Sequence, residues 1–328
     1  MRSLLLASVC SLLSFSPPAR AGDCDGDRGI ELTISEEIGI GEKAEICLKG
    51  PSNGLALFMV SLGDGPTRTA YGDLCLDFPL VFHLIVPLDR KGENCFECGV
   101  PCNDRLIGLL FFSQFITCNP LHGRSNGAST LITDGICDGE YCSFTQGGFG
   151  QGCHGNNVGC LRDEHFDEVF PNGLVLGDGD GDDDDDAFAL VLTSARAVED
   201  FLPAGGQPGA LDQDLVDPLN SSAGVLAGQL AAAKLNVGFS AAGFFDGDGQ
   251  LGDLVYVKCV DDDLIGLSVS EVIDLADVLI SGQAGDGLDL DGDGKDDVSF
   301  SDLSDALTAL NENFHECSGN NGCLDLPR

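Results

Sequence analysis

Cysteine spacing constrains this chain more than any other feature. Fifteen cysteines occur in 328 residues. Residues 1–21 read as a secretory signal: Arg2 supplies the positive start, Leu4 to Phe15 a mostly apolar stretch, and Ala19-Arg20-Ala21 the small residues of a cleavage site. Cys10 leaves with that segment, so the mature chain, expected to begin at Gly22, keeps fourteen. An even number in an exported protein implies a disulfide framework. Eight cysteines lie between Cys24 and Cys137 and six between Cys142 and Cys323. Each set can close on itself, with a joint near Asp138–Tyr141; the pairing within each set stays open. Cys95, Cys98 and Cys102 form a CxxCxxxC cluster that an oxidising compartment turns into disulfides. A thiolate metal site would need a fourth ligand at comparable spacing.

Charge divides at the same joint. The chain carries 54 acidic and 16 basic residues, a net charge of -38. Gly22 to Cys137 holds 16 acids and 8 bases, whereas Asp138 onward holds 38 acids and 6 bases. Nucleic acid is excluded as a partner, because its phosphates need clustered Lys and Arg. An anionic membrane surface is disfavoured for the same reason. No span is expected either, since even the apolar run Leu80–Leu88 is short and interrupted by His83. The halves are expected to be separate domains, residues 22–137 and 138–328.

In the first half, strand-forming runs occupy Ile30–Ile34, Ala44–Leu48, Leu55–Leu62, Leu80–Val86 and Leu106–Thr117. Turn clusters such as Lys49–Gly54 and Gly63–Pro66 separate them. Short strands between turn signals predict an antiparallel β-sandwich. His83, inside an apolar run, is expected to pack in a strand. The stretches Tyr71-Gly72-Asp73-Leu74-Cys75-Leu76-Asp77, Val86–Gly92, Leu106–Leu109 and Arg124–Gly127 carry a resemblance to a sandwich module repeated in large secreted proteins of environmental bacteria. The resemblance implies architecture and export, with no activity attached.

The second half predicts an α+β domain with a helical core, so the whole chain is α+β. Gly173–Gly177 and Phe188–Thr193 read as a hairpin, Ser194–Leu202 as a short helix stopped by Pro203, and Leu254–Lys258 as a strand. Helical spacing marks Ser222–Leu235 and Asp302–Phe314. Ser268–Ile280 opens with a capping box, Ser268 with Glu271. The segments Tyr141–Gly148, Phe170–Leu174, Phe201–Gly206, Ala223–Gln229 and Ala309–Phe314 resemble a second module of exported bacterial surface proteins, which likewise implies no reaction.

The sharpest motif is Asp289-Leu290-Asp291-Gly292-Asp293-Gly294-Lys295-Asp296-Asp297-Val298. Calcium takes six to eight hard oxygen ligands, and carboxylates at loop positions 1, 3, 5 and 9 can surround one ion. Glycine at position 6 permits the turn, and the Lys295 carbonyl at position 7 adds an oxygen. The motif resembles the calcium loops of thrombospondin type 3, dockerin and FG-GAP repeats. It departs from an EF-hand, because Phe300 stands where a bidentate Glu belongs. The same spacing recurs in Asp178, Asp180, Asp182 and Asp186, and in Asp23, Asp25, Asp27 and Glu31. Asp246, Asp248 and Asp253 form a shorter candidate. Asp261, Asp262 and Asp263 lack the alternation and read as a solvated approach to a helix. Magnesium and zinc suit these sites less well, the first for its strict octahedral geometry and the second for its preference for nitrogen and sulfur.

Nucleophile elbows, zinc-protease helices, P-loops and dinucleotide fingerprints are missing from the sequence. Asp163, Glu164, Asp167 and Glu168 flank His165 and could form a glycosidase-like pair, but so acidic a chain makes such pairs by chance. With no tryptophan and three tyrosines, platforms for sugars are thin. The expectation is a non-catalytic protein, secreted or at the cell surface, structural or adhesive, with calcium-stabilised loops. An extracellular glycan- or protein-binding module is the alternative, and a secreted hydrolase a weaker one.

Overall fold

The computed structural model describes residues 25–69, 72–119, 123–177, 187–245, 247 and 249–327. The expected signal segment lies outside them, as do Asp23, Asp178, Asp180, Asp182, Asp186, Asp246 and Asp248. The chain is α+β and divides into two compact units, with the boundary between Ile136 and Cys137. Among the described residues, no helix is long and apolar enough to cross a membrane.

The first unit is built from strands. They are β1 (Glu31–Thr33), β2 (Glu37–Gly39), β3 (Lys43–Lys49), β4 (Leu55–Ser61), β5 (Thr67–Thr69), β6 (Gly72–Leu74), β7 (Phe82–Pro87), β8 (Glu93–Gly99), β9 (Leu110–Asn119), β10 (Gly123–Arg124) and β11 (Ala128–Thr133). One sheet runs β1-β3-β8; a larger one runs β2-β11-β9-β4-β7, with β10 on β9. Pairing is antiparallel throughout these two sheets except for β2 on β11, which is parallel and departs from the purely antiparallel expectation. In β3 Ala44, Ile46 and Leu48 are buried and alternate with more exposed neighbours, as a strand with one covered face requires. They meet Ala56, Phe58, Val86 and Phe115 of the larger sheet in one apolar cluster. The opposite face of β4 packs Leu57 and Met59 against Leu74, Leu76 and Ile116. Covered on both sides, β4 is a continuous apolar run.

Strand β8 has no apolar alternation. It is held at the sheet edge by pairing with β3 and by the cross-strand disulfide Cys47–Cys95. Cys102 is also disulfide-bonded, but Cys98 is a free, exposed thiol, contrary to the expectation for the CxxCxxxC cluster. His83 is exposed rather than packed: β7 is an edge strand whose apolar residues Phe82, Leu84 and Ile85, like Val81 just before it, are also exposed.

The second unit wraps helices around one buried helix. Its helices are α1 (Gln146–Phe149), α2 (Val158–Val169), α3 (Ala195–Phe201), α4 (Gly224–Ala241), α5 (Val269–Ile280) and α6 (Phe300–Asn313). Strands β12 (Leu174–Gly177), β13 (Ala189–Leu192) and β14 (Leu215–Val216) form a small sheet in that order. Two-stranded ladders join β15 (Val255–Tyr256) to β18 (Leu324–Asp325) and β16 (Gly287–Leu288) to β17 (Val298–Ser299). Helix α4 is central because it is small-residue rich. A Cβ at Gly238 would come within 2.6 Å of the Phe170 ring, and one at Gly228 within 2.1 Å of the Gln146 amide oxygen. Its polar residues are satisfied inside the core. Asn236 donates to the Phe144 carbonyl at 2.8 Å and to Asn311 at 2.9 Å, and Asn311 donates to Gln229. Helix α5 carries the expected capping box of Ser268 and Glu271. Three disulfides, Cys142–Cys317, Cys153–Cys160 and Cys259–Cys323, lie within this unit.

Candidate metal centre

The motif Asp289–Asp297 is the loop of the β16–β17 hairpin. Buried Leu288 and Val298 anchor its two ends, and the Asp297 amide donates to the Leu288 carbonyl at 2.7 Å. Ser299 then caps α6 in a reciprocal pair with Asp302. Gly292 and Gly294 take φ of 79° and 86°, left-handed values that glycine adopts without a Cβ clash. The carboxylates organise the turn. Asp289 accepts from the amides of Gly292 at 2.7 Å and Gly294 at 2.8 Å, and Asp291 accepts from that of Asp293 at 2.9 Å.

Asp289, Asp291 and Asp293 each present a carboxylate oxygen, and these oxygens lie within 4.8 Å of one another. Asp297, at position 9, stands outside that group and accepts from the amides of Leu290 and Asp291 at 2.8 and 3.2 Å. The Lys295 ammonium sits 2.6 Å from Asp293. It supplies the positive charge that three converging carboxylates call for. Desolvation, then the carboxylates of Asp297, Asp261, Asp262 and Asp291, hold Asp263 above its ordinary range. Asp261, Asp262 and Asp263 are exposed around the 3-10 turn Asp262–Leu264, as the sequence reading of a solvated stretch expects.

The other candidates are placed differently. Asp27 accepts from the Arg124 amide at 2.9 Å and ties the start of the first unit to β10. Asp25 and Glu31 are exposed, and among the described residues they do not join Asp27 in a three-ligand group. Asp253 is the exposed end of a 3-10 turn whose Leu251 is buried. Glu45, Cys47 and Cys95 come together at metal-like distances, but the two cysteines are spent in a disulfide and offer no thiolate. Of the acids around His165, Asp163 is bound to Arg162, and the imidazole stacks on Phe244 with centroids 3.8 Å apart.

No family model and no curated protein matches the sequence. Among solved structures, a superoxide reductase (neelaredoxin) from Ignicoccus hospitalis aligns at 13% identity and a TM-score of 0.20, over 33% of this chain and 80% of that one. The CARDB domain of a Pyrococcus furiosus protein, in complex with di-metal ions, aligns at 8% identity and a TM-score of 0.21, over 37% and 99%. Overlaps this weak carry no argument about fold or function.

Proposed function

We propose that this is an exported, non-catalytic structural or adhesive protein of the extracellular space or cell surface, in which calcium orders acidic loops, chiefly those of the second unit. The observation that carries the reading is the convergence of Asp289, Asp291 and Asp293 within 4.8 Å in a loop already turned by its own amide–carboxylate bonds. Hard carboxylate oxygens suit calcium, which would bring in the Lys295 carbonyl and water to complete six to eight ligands. Asp297 would fix the loop's start or rotate to join the shell. Asp178, Asp180, Asp182 and Asp186, Asp246, Asp248 and Asp253, and Asp23, Asp25, Asp27 and Glu31 are further sites under the same proposal. The described disulfides support export, because such bonds persist in oxidising compartments. We read the first unit, residues 22–137, as a β-sandwich, supported by the apolar cluster its two sheets share. The alternative of an extracellular glycan- or protein-binding module is supported by the exposed apolar residues of β7.

Calorimetric titration of the chain with calcium, with thermal unfolding in calcium and in chelator, tests the proposal. Saturable binding should raise stability by about 2.7 kcal/mol at a free concentration near 100 times the dissociation constant. The double variant Asp291→Ala, Asp293→Ala should lose most of that gain. Equal melting in calcium and chelator would refute it.

A further inference from the structure

The second unit also holds a cleft of about 800 Å3 that the metal centre does not use. Its floor is aromatic: Phe144, Phe244 and Phe245 line it and are each half-buried. The Phe144 and Phe245 rings lie 5.3 Å apart, and His165 covers one face of Phe244. Its polar side chains are Thr145, Gln151, Asn156, His315, Glu316 and Asn157, the last engaged in capping α2. Among the described residues, no hydrogen bond engages the side chains of Asn156 or Glu316 or the His315 ring, so these face the cleft without a partner.

The frame holds this surface from three sides. Buried Asn236 grips Phe144 at both its amide (2.9 Å) and its carbonyl (2.8 Å). Arg162, fully buried, donates to the carbonyls of Phe149 and Gln151 behind α1. On the third side, Glu316 and Cys317 take φ of 53° and 61°, a left-handed pair that side chains other than glycine seldom adopt. The Cys142–Cys317 disulfide and the bonds of Ser143 to Phe314 and Glu316 hold them there. A backbone held in an uncommon conformation beside a cleft is a common mark of a ligand site.

From this surface we infer that the cleft binds a neutral oligosaccharide. Amides and a hydroxyl donate and accept at once, as sugar hydroxyls require. Ring faces pack against the C–H faces of pyranoses, and the pocket volume falls in the range of small-ligand sites. Among the described residues neither Lys nor Arg lines the cleft, and the second half of the sequence holds 38 acids and 6 bases, so phosphate, sulfate and carboxylate ligands find no Lys or Arg counter-charge there. The aromatic platform missing from the tryptophan and tyrosine content is supplied by phenylalanine.

Saturation-transfer NMR on the full chain, with cello-, xylo-, manno-, laminari- and chitohexaose as probes, tests the inference. At least one should bind saturably, and Asn156→Ala with Glu316→Gln should weaken it at least tenfold without moving the melting temperature. Phe245→Ala should weaken it further; should that variant unfold, the exposed pair still decides the matter. Three results would overturn the inference: no binding by any probe, binding indifferent to the exposed pair, or binding of tetramethylammonium with no sugar. Titrations in calcium and in chelator keep this outcome separate from the metal proposal, since sugar binding in either buffer supports the cleft whatever the calorimetry shows.

Discussion

Arg162→Met is the most informative single change in the second unit. The Arg162 side chain is fully buried, and its guanidinium meets Asp163 through Nε at 2.9 Å and Glu199 through Nη2 at 2.8 Å. It also donates to the Phe149 and Gln151 carbonyls. Methionine keeps much of the volume but leaves two carbonyls and Glu199 without that donor. Removing one partner of a buried pair costs about 3–5 kcal/mol. Asp163 is 40% exposed and recovers water, and Arg196 still reaches the second Glu199 oxygen at 3.0 Å. These offsets place the loss near the lower end, at about 3 kcal/mol. For a unit of this size that is a fall of about 6–12 °C in the melting temperature. Calorimetry on the whole chain measures it, alone and in a cycle with Glu199→Gln. A coupling of at least about 1 kcal/mol is expected between contacting residues. A loss below about 1 kcal/mol, or strict additivity, would refute the view that this ion cluster braces α1, α2 and α3.

Two further predictions follow from local chemistry. Glu271 accepts from the Ser268 amide at 2.7 Å and its hydroxyl at 2.8 Å, and these bonds, the amide's first, hold its carboxyl below the ordinary value of 4.5. A depressed folded value means the cap's contribution is complete above that ordinary value and is lost as pH falls through the folded one; Glu271→Gln should therefore flatten the acid limb of melting temperature against pH. On β7, Ile85 is 44% exposed at the edge of the larger sheet, so Ile85→Lys should change stability by no more than about 0.5 kcal/mol while lowering light scattering on concentration, because a charge blunts edge-to-edge pairing.

Much of the fold is legible because it rests on local periodicity. The alternation of β3, the unbroken apolar run of β4, the β12–β13 hairpin, the Ser268 cap and the apolar face of α6 all follow from residues within one element. What escapes is set between elements. Strand β8, Glu-Asn-Cys-Phe-Glu-Cys-Gly, offers only Phe96 to the apolar cluster, against Phe58, and is fixed as a strand by β3 and Cys47–Cys95. The apolar run containing His83 does not reveal whether its strand is central or at an edge, and the edge position exposes it. Helix α2 escapes the sequence reading, because its buried face includes Arg162, a residue that reads as solvent-facing until Glu199 is brought to it.

The same division governs the two candidate sites. Positions 1, 3 and 5 of the acidic loop could be read directly, since a hairpin loop with glycines at the left-handed positions brings near neighbours together. Asp297, at position 9, lies outside that group and bonds the amides of Leu290 and Asp291, as Asp289 bonds those of Gly292 and Gly294. The cleft is assembled wholly from distant segments: Phe144 beside α1, Asn156 before α2, Phe245 after α4 and Glu316 after α6. Each is unremarkable in its own stretch of sequence. Asn236, Arg162 and the Cys142–Cys317 disulfide hold that surface in place, and because neither Asn236 nor Arg162 lines the cleft, substitutions at those two should alter it without touching any group that faces it.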